Sequence, residues 1–204
     1  MAIAGKTKKD VLLEFRTAEI LEAARGVFAE RGYGGATIDA IAVAAGVAKG
    51  TVYLYFDSKR DLFLATLRDG VTELHDEVGA EMLAAGSSEG KLRAFIETRF
   101  RYFSRNREFF RIYYTEFAHA AAGTANVQPE FQDLYERQAA MLEAVLAEGI
   151  SRGELRPFAV RPTARLIYDV VRSSLAAHIL HPEAGASEGP VGNLCDFVWK
   201  GIGA

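Results

Sequence analysis

Seven residues in one short stretch suit contact with a polyanion. Lys49 can donate to guanine or to phosphate, and Thr51 offers a hydroxyl to phosphate and a methyl to thymine. Tyr53 and Tyr55 carry phenolic donors, and Gly50, with no side chain, lets its backbone come close to a nucleic acid. Lys59 falls at the start of a helix, where its charge and the free N–H groups both suit a phosphate. Thr37, at another helix start, has a hydroxyl that can cap the helix and donate outward. Tyr53 keeps two readings: its ring touches a groove, or it packs between Val52 and Phe56.

The spacing around these residues is that of two short helices crossing steeply. Such a crossing needs a small residue at the contact, met by Ala42, and a turn residue free to adopt a positive φ, met by Gly46. The second helix must send one apolar residue back to the core, met by Val52. In a helix-turn-helix the second helix lies in the major groove with its N-terminal residues against base edges. That places Lys49 to Tyr53 at the contact.

A second constellation lies further along. Nine of the 23 residues from Phe95 to Phe117 are aromatic, against 11% in the whole chain. Arg99 sits one turn from Phe95 and one from Phe103, on an otherwise apolar face, and Gln138 interrupts the Phe131–Leu146 stripe. These features predict an aromatic pocket lined by Phe100, Phe103, Tyr113, Phe117, Tyr135 and Gln138, with Arg99 at its edge facing an anionic group. The alternative for Arg99 is to snorkel to a neighbouring Glu. Ser174 and His178 are further polar residues on an apolar stripe.

Catalytic and metal chemistry find little support. Glu116 and His119 have the Glu-x-x-His spacing of di-iron bundles, but that chemistry needs two such motifs and two more carboxylates. His178 and His181 have no third ligand in view. The one cysteine, Cys195, excludes a disulfide framework and multi-cysteine metal sites. Gly32-Tyr33-Gly34-Gly35 follows a helix rather than a strand, so it is no phosphate loop. No metal, cofactor or catalytic residue is expected.

The elements that must position these residues are helices throughout. Ile20, Leu21, Ala24, Val27 and Phe28 form a stripe ended by the glycines at 32–35. Ser58-Lys59-Arg60-Asp61 is a capping box ahead of Phe63, Leu67, Val71, Leu74, Val78 and Met82. Later stripes cover Leu92–Phe103, Phe109–Phe117, Phe131–Leu146, Leu166–Leu175 and Val191–Ile202, with Pro129, Pro162 and Pro190 at helix entries. No strand pairs or internal repeats are evident. The expected fold is all-α, with three short N-terminal helices and about six longer ones.

Composition agrees. The 204 residues are 50% hydrophobic and 25% charged with a net charge of -3, which is globular and excludes disordered and fibrous classes. Residues 1–61 carry nine Lys/Arg against eight Asp/Glu, and 62–204 carry fifteen against nineteen, so positive charge gathers at the N-terminal end with Lys6, Lys8 and Lys9. No signal peptide or membrane helix is evident, and a reduced, cytoplasmic setting is expected.

The stretch Ile20–Ala24, Val27–Tyr33, Thr37-Ile38, Ile41-Ala42, Ala45–Phe56, Ser58-Lys59 and Leu62 resembles the TetR family of transcriptional regulators in order and spacing. Two positions depart from the usual pattern: Ala48 stands where a Ser or Thr cap is common, and Asp39 cannot donate to phosphate. The resemblance implies a DNA-binding domain over 1–57 and an effector-binding and dimerisation domain over 58–204. It implies DNA contacts from Lys49, Gly50, Thr51, Tyr53, Tyr55 and Lys59, to which the helix-capping Thr37 adds a further candidate. It further implies a homodimer joined by the last two long helices, and a repressor that leaves a palindromic DNA operator when a small, hydrophobic or aromatic effector binds. The alternatives are an activator, or a helical small-molecule-binding protein or enzyme with a vestigial motif.

Overall fold

The computed structural model describes residues 8–112, 132–181 and 189–204. Nine helices are present among them: α1 Lys8–Gly35, α2 Ile38–Ala44, α3 Lys49–Tyr53, α4 Lys59–Ala84, α5 Ser88–Arg105, α6 Arg107–Ile112, α7 Gln132–Ser151, α8 Val160–Leu180 and α9 Gly189–Ile202. No strand occurs among the described residues, apart from one isolated bridge between Leu155 and Gly203. No helix among them is long and apolar enough to cross a membrane. The all-α expectation therefore stands. The first helix is not short, however: α1 has 28 residues and loses helical angles only at Gly32 (φ 70°, ψ 169°). Its early apolar residues Leu12, Leu13 and Phe15 face outward, so they give no inward stripe to read.

The chain divides into two compact units, Met1–Gly70 and Val71–Ala204. The expected division at 57/58 puts the whole of α4 in the second domain, whereas the compact units part within α4. The first turns of α4 belong with the N-terminal unit because Leu62 and Phe63 are core residues there. Phe63 meets Phe28 edge-on at 5.0 Å and Tyr33 at 5.5 Å. Ile20, Ala24, Ile41 and Val52 complete this small core.

In the second unit α5 packs against α7, α8 and α9, and α7 runs along α8. The α5 N-terminus is capped twice. Ser87 accepts from Gly90 N–H at 3.1 Å, and the Glu154 carboxylate accepts from Ser88 N–H at 2.7 Å. That hydrogen bond holds the Glu154 carboxyl below its ordinary range. Pro162 falls in the first turn of α8, where its missing N–H costs nothing.

The apolar residues of α8 and α9 face two ways. Val171 and Val198 point into the unit and are buried. The large apolar side chains left outside are Leu166 (66% exposed), Val170 and Phe197 (69% exposed). A stripe wide enough to include Leu166 and Val170 with Ile167 and Val171 cannot be covered by one core.

Candidate nucleic-acid interface and a buried arginine

Each local demand of the helix-turn-helix is met by a named atom. Thr37 is the α2 N-cap, its hydroxyl oxygen accepting from Ala40 N–H at 3.1 Å. Gly46 takes φ 66°, a left-handed turn that a side chain would strain. Val47 N–H then reaches back to Ala42 O at 2.9 Å, setting the angle at which the chain leaves α2. Ala48 caps α3 without a side-chain hydrogen bond, as its methyl requires. Val52 is fully buried and fixes which face of α3 turns inward.

The opposite face is thereby turned out. Lys49, Gly50 and Tyr53 are exposed, and Thr51 and Tyr55 are half-buried. Tyr53, at 48% exposure, is not a core side chain, so it does not pack between Val52 and Phe56. A Cβ on Gly50 would meet nothing within 4 Å, so the fold itself does not demand glycine there. Leu54 and Val43 are exposed as well, two apolar side chains flanking the motif that spacing did not single out.

Two lysines have partners that sequence could not reveal. Lys49 Nζ donates to Asp39 Oδ2 at 2.7 Å, a bond that raises the lysine pKa from its ordinary value. Lys59 Nζ donates to Tyr33 O at 2.8 Å and Ala36 O at 3.1 Å, and lies 4.6 Å from the Tyr33 ring centroid. Lys59 thus clasps the α1–α2 turn. Ser58 accepts from Asp61 N–H at 3.0 Å, while the Asp61 carboxylate accepts from Asp57 N–H at 3.1 Å, completing the capping box one residue early. Of the basic arm, Lys6 lies outside the described residues, and Lys8 and Lys9 open α1.

In the second unit Arg99 is 3% exposed. It does not snorkel to a Glu: no carboxylate among the described residues pairs with it. Its Nη1 donates to Gln138 Oε1 at 2.7 Å, and its Nη2 to Tyr168 Oη at a long 3.4 Å. Its Nε has no acceptor. The guanidinium carbon lies 5.1 Å from the Phe95 ring centroid and 4.9 Å from that of Tyr168. Gln138 Nε2 is 3.2 Å from His75 Nδ1, and Tyr135 meets Tyr168 edge-on at 4.9 Å. Burial pushes the Tyr135 phenol up.

The expected pocket residues thus divide. Arg99 and Gln138 are in direct contact, and Tyr135 joins them through Tyr168. Phe100 packs against His178 at 5.6 Å, and Phe103 stacks on Phe110 at 4.2 Å. Tyr113 and Phe117 lie outside the described residues, as do Glu116 and His119. Phe95 was visible as the residue one turn before Arg99 on the same face but not as a lining residue, and Tyr168 and His75 were not singled out; for Tyr168 the only sequence signal was its place beside Ile167 on an apolar stripe. His178 Nε2 is 3.2 Å from Ser104 Oγ, and His181 is exposed. No group of three or more His, Cys, Asp or Glu among the described residues could hold a metal. Burial pushes the Cys195 thiol up, away from reactivity.

Comparison with known proteins follows the same division. The family described as "Bacterial regulatory proteins, tetR family" matches residues 20–66, and that described as "Tetracyclin repressor-like, C-terminal domain" matches 85–175. The HTH-type transcriptional repressor KstR2 of Rhodococcus jostii is 30% identical over 146 residues, 69% of this chain and 70% of that protein. The fatty acid metabolism regulator protein of Bacillus subtilis is 22% identical over 81% of this chain and 84% of its own length. The solved fatty acid degradation regulator FadR of Bacillus halodurans shares the fold with a TM-score of 0.73 at 22% identity, over 95% of this chain and 96% of that one. The outward α3 face, the helical second unit and these matches together identify the chain as a member of the TetR family of DNA-binding transcriptional regulators.

Proposed function

We propose that the protein is a homodimeric repressor that holds a palindromic operator through α3 and releases it when a small hydrophobic effector occupies the second unit. The observation that carries the reading is the facing of α3. Val52 is anchored inward while Lys49, Gly50 and Tyr53 are turned out. Lys49 and Thr51 are the base-edge donors of this reading, and Tyr53, Tyr55, Thr37 and Lys59 its phosphate partners. Leu166, Val170 and Phe197 supply an apolar surface on α8 and α9 suited to a second copy of the chain. Ligand occupancy favours an arrangement in which the two α3 helices no longer match half-sites about 34–36 Å apart.

The aromatic second unit supports a hydrophobic effector, and so do related proteins: the FadR of Bacillus subtilis was solved in complex with stearoyl-CoA. The test is a selection from random duplexes by purified protein, followed by footprinting. A two-fold palindrome, with affinity falling steeply as salt rises, is the expected result. Recovery of no common sequence rejects the reading.

A further inference from the structure

We propose that the Nε–Nη2 edge of Arg99 is the receptor for a carboxylate, and that the effector is therefore a hydrophobic monocarboxylic acid rather than a neutral molecule. The proposal rests on the reading above, that a hydrophobic ligand enters the second unit, and deepens it by naming the ligand's polar group.

The first argument is charge. A guanidinium out of water is costly unless an anion or a full set of acceptors replaces its hydration. Three other arginines, Arg25, Arg165 and Arg172, also have a buried Nε with no acceptor, yet each pairs with a carboxylate: Asp69 at 3.0 Å, Glu136 at 2.9 Å and Asp169 at 3.5 Å. Arg99 is 3% exposed and meets only uncharged partners. Arginine can only donate, so Gln138 must turn its oxygen to Arg99 and its NH2 to His75 Nδ1. Neither Gln138 nor the lone pair it meets on His75 neutralises the cation. The rings of Phe95 and Tyr168 offer attraction but no counter-charge.

The second argument is geometry. Of the guanidinium's edges, the Nη1 end is held by Gln138 at 2.7 Å. Nε is unpartnered, and Nη2 reaches only a 3.4 Å contact with the Tyr168 hydroxyl. Nε–H and the adjacent Nη2–H are parallel donors, spaced for the two oxygens of one carboxylate. Tyr168 can turn its own O–H to the same group. A single cation among aromatic rings matches one negative charge, which favours a monocarboxylate over a phosphate.

The experiment measures direct binding by calorimetry, and operator release by fluorescence anisotropy. The probes are alkanoates from octanoate to palmitate and naphthoates, each with its primary amide. The natural protein, Arg99→Met and Arg99→Lys are compared, with circular dichroism to check folding. The natural protein should bind at least one acid roughly tenfold to a hundredfold tighter than its amide. Arg99→Met should bind the two alike, and Arg99→Lys should keep part of the preference. Where Arg99→Met fails to fold, the acid–amide ratio in the natural protein and in Arg99→Lys decides alone. Acid and amide binding alike to the natural protein overturn the carboxylate receptor and leave the hydrophobic effector standing. If no probe binds the natural protein, both fall, while the palindrome selection still judges DNA binding separately.

Discussion

Replacing Lys59 by Met tests whether this lysine holds the DNA-binding unit together before any DNA arrives. Methionine keeps the aliphatic stem and removes the ammonium. The structure gives that ammonium two carbonyl acceptors, at 2.8 and 3.1 Å, and one aromatic ring at 4.6 Å. A hydrogen bond from a charged donor is worth about 1.5–3 kcal/mol. Solvent screening at this half-buried position brings each to about 1 kcal/mol. The ring adds about 0.5 kcal/mol. The sum, about 2.5 kcal/mol, should appear as easier opening of α2, whose entry the clasp secures. Hydrogen exchange in the free protein reads this directly. Ile41 and Ala45 N–H, bonded to Thr37 O and Ile41 O, should lose protection by about fiftyfold to a hundredfold. Protection unchanged within about threefold would refute the clasp. The same variant measures DNA contact: a salt slope reduced by about one per protomer means Lys59 also neutralises a phosphate.

Three other outcomes follow from single contacts. Asp39→Asn frees Lys49 from its 2.7 Å ion pair and removes a negative charge near the phosphates, so operator affinity should rise; a fall in mobility-shift titrations contradicts this. The Glu154 carboxyl has a lowered pKa in the fold, so its stabilising effect is full above the ordinary glutamate range and is lost as pH falls through the lowered value; acid unfolding of Glu154→Gln should start from lower stability at neutral pH and be less steep. Leu166→Glu with Phe197→Glu should give folded monomers by sedimentation, whereas Val171→Glu with Val198→Glu should unfold the second unit; a dimer surviving the first pair places the interface elsewhere.

What sequence could reveal depended on how local the cause was. Thr37, Ala42, Gly46 and Val52 act within a few residues of one another, through a cap, a turn and an anchor, so their roles follow from spacing. The length of α1 was hidden because its opening turns face outward, leaving no periodic stripe. On α8, Val170 and Val171 are neighbours with opposite fates, and only the packing of α5 and α7 against that helix separates them. Lys59 meets carbonyls 26 and 23 residues upstream, and nothing in a lysine announces them. Arg99 was conspicuous as a charge on an apolar face, but its partners, 39 and 69 residues away, exist only in the folded unit.

The pairing of Lys49 with Asp39 also bears on how such a protein finds its site. On the proposed reading, Lys49 must leave Asp39 before it can reach DNA, and the carboxylate then stays beside the phosphates whatever the underlying sequence. The cost is therefore common to the operator and to the very large number of other sites that compete for the protein in a genome. An exposed pair of this kind contributes little, so it shortens residence at every site alike and leaves the choice among sites to the base edges.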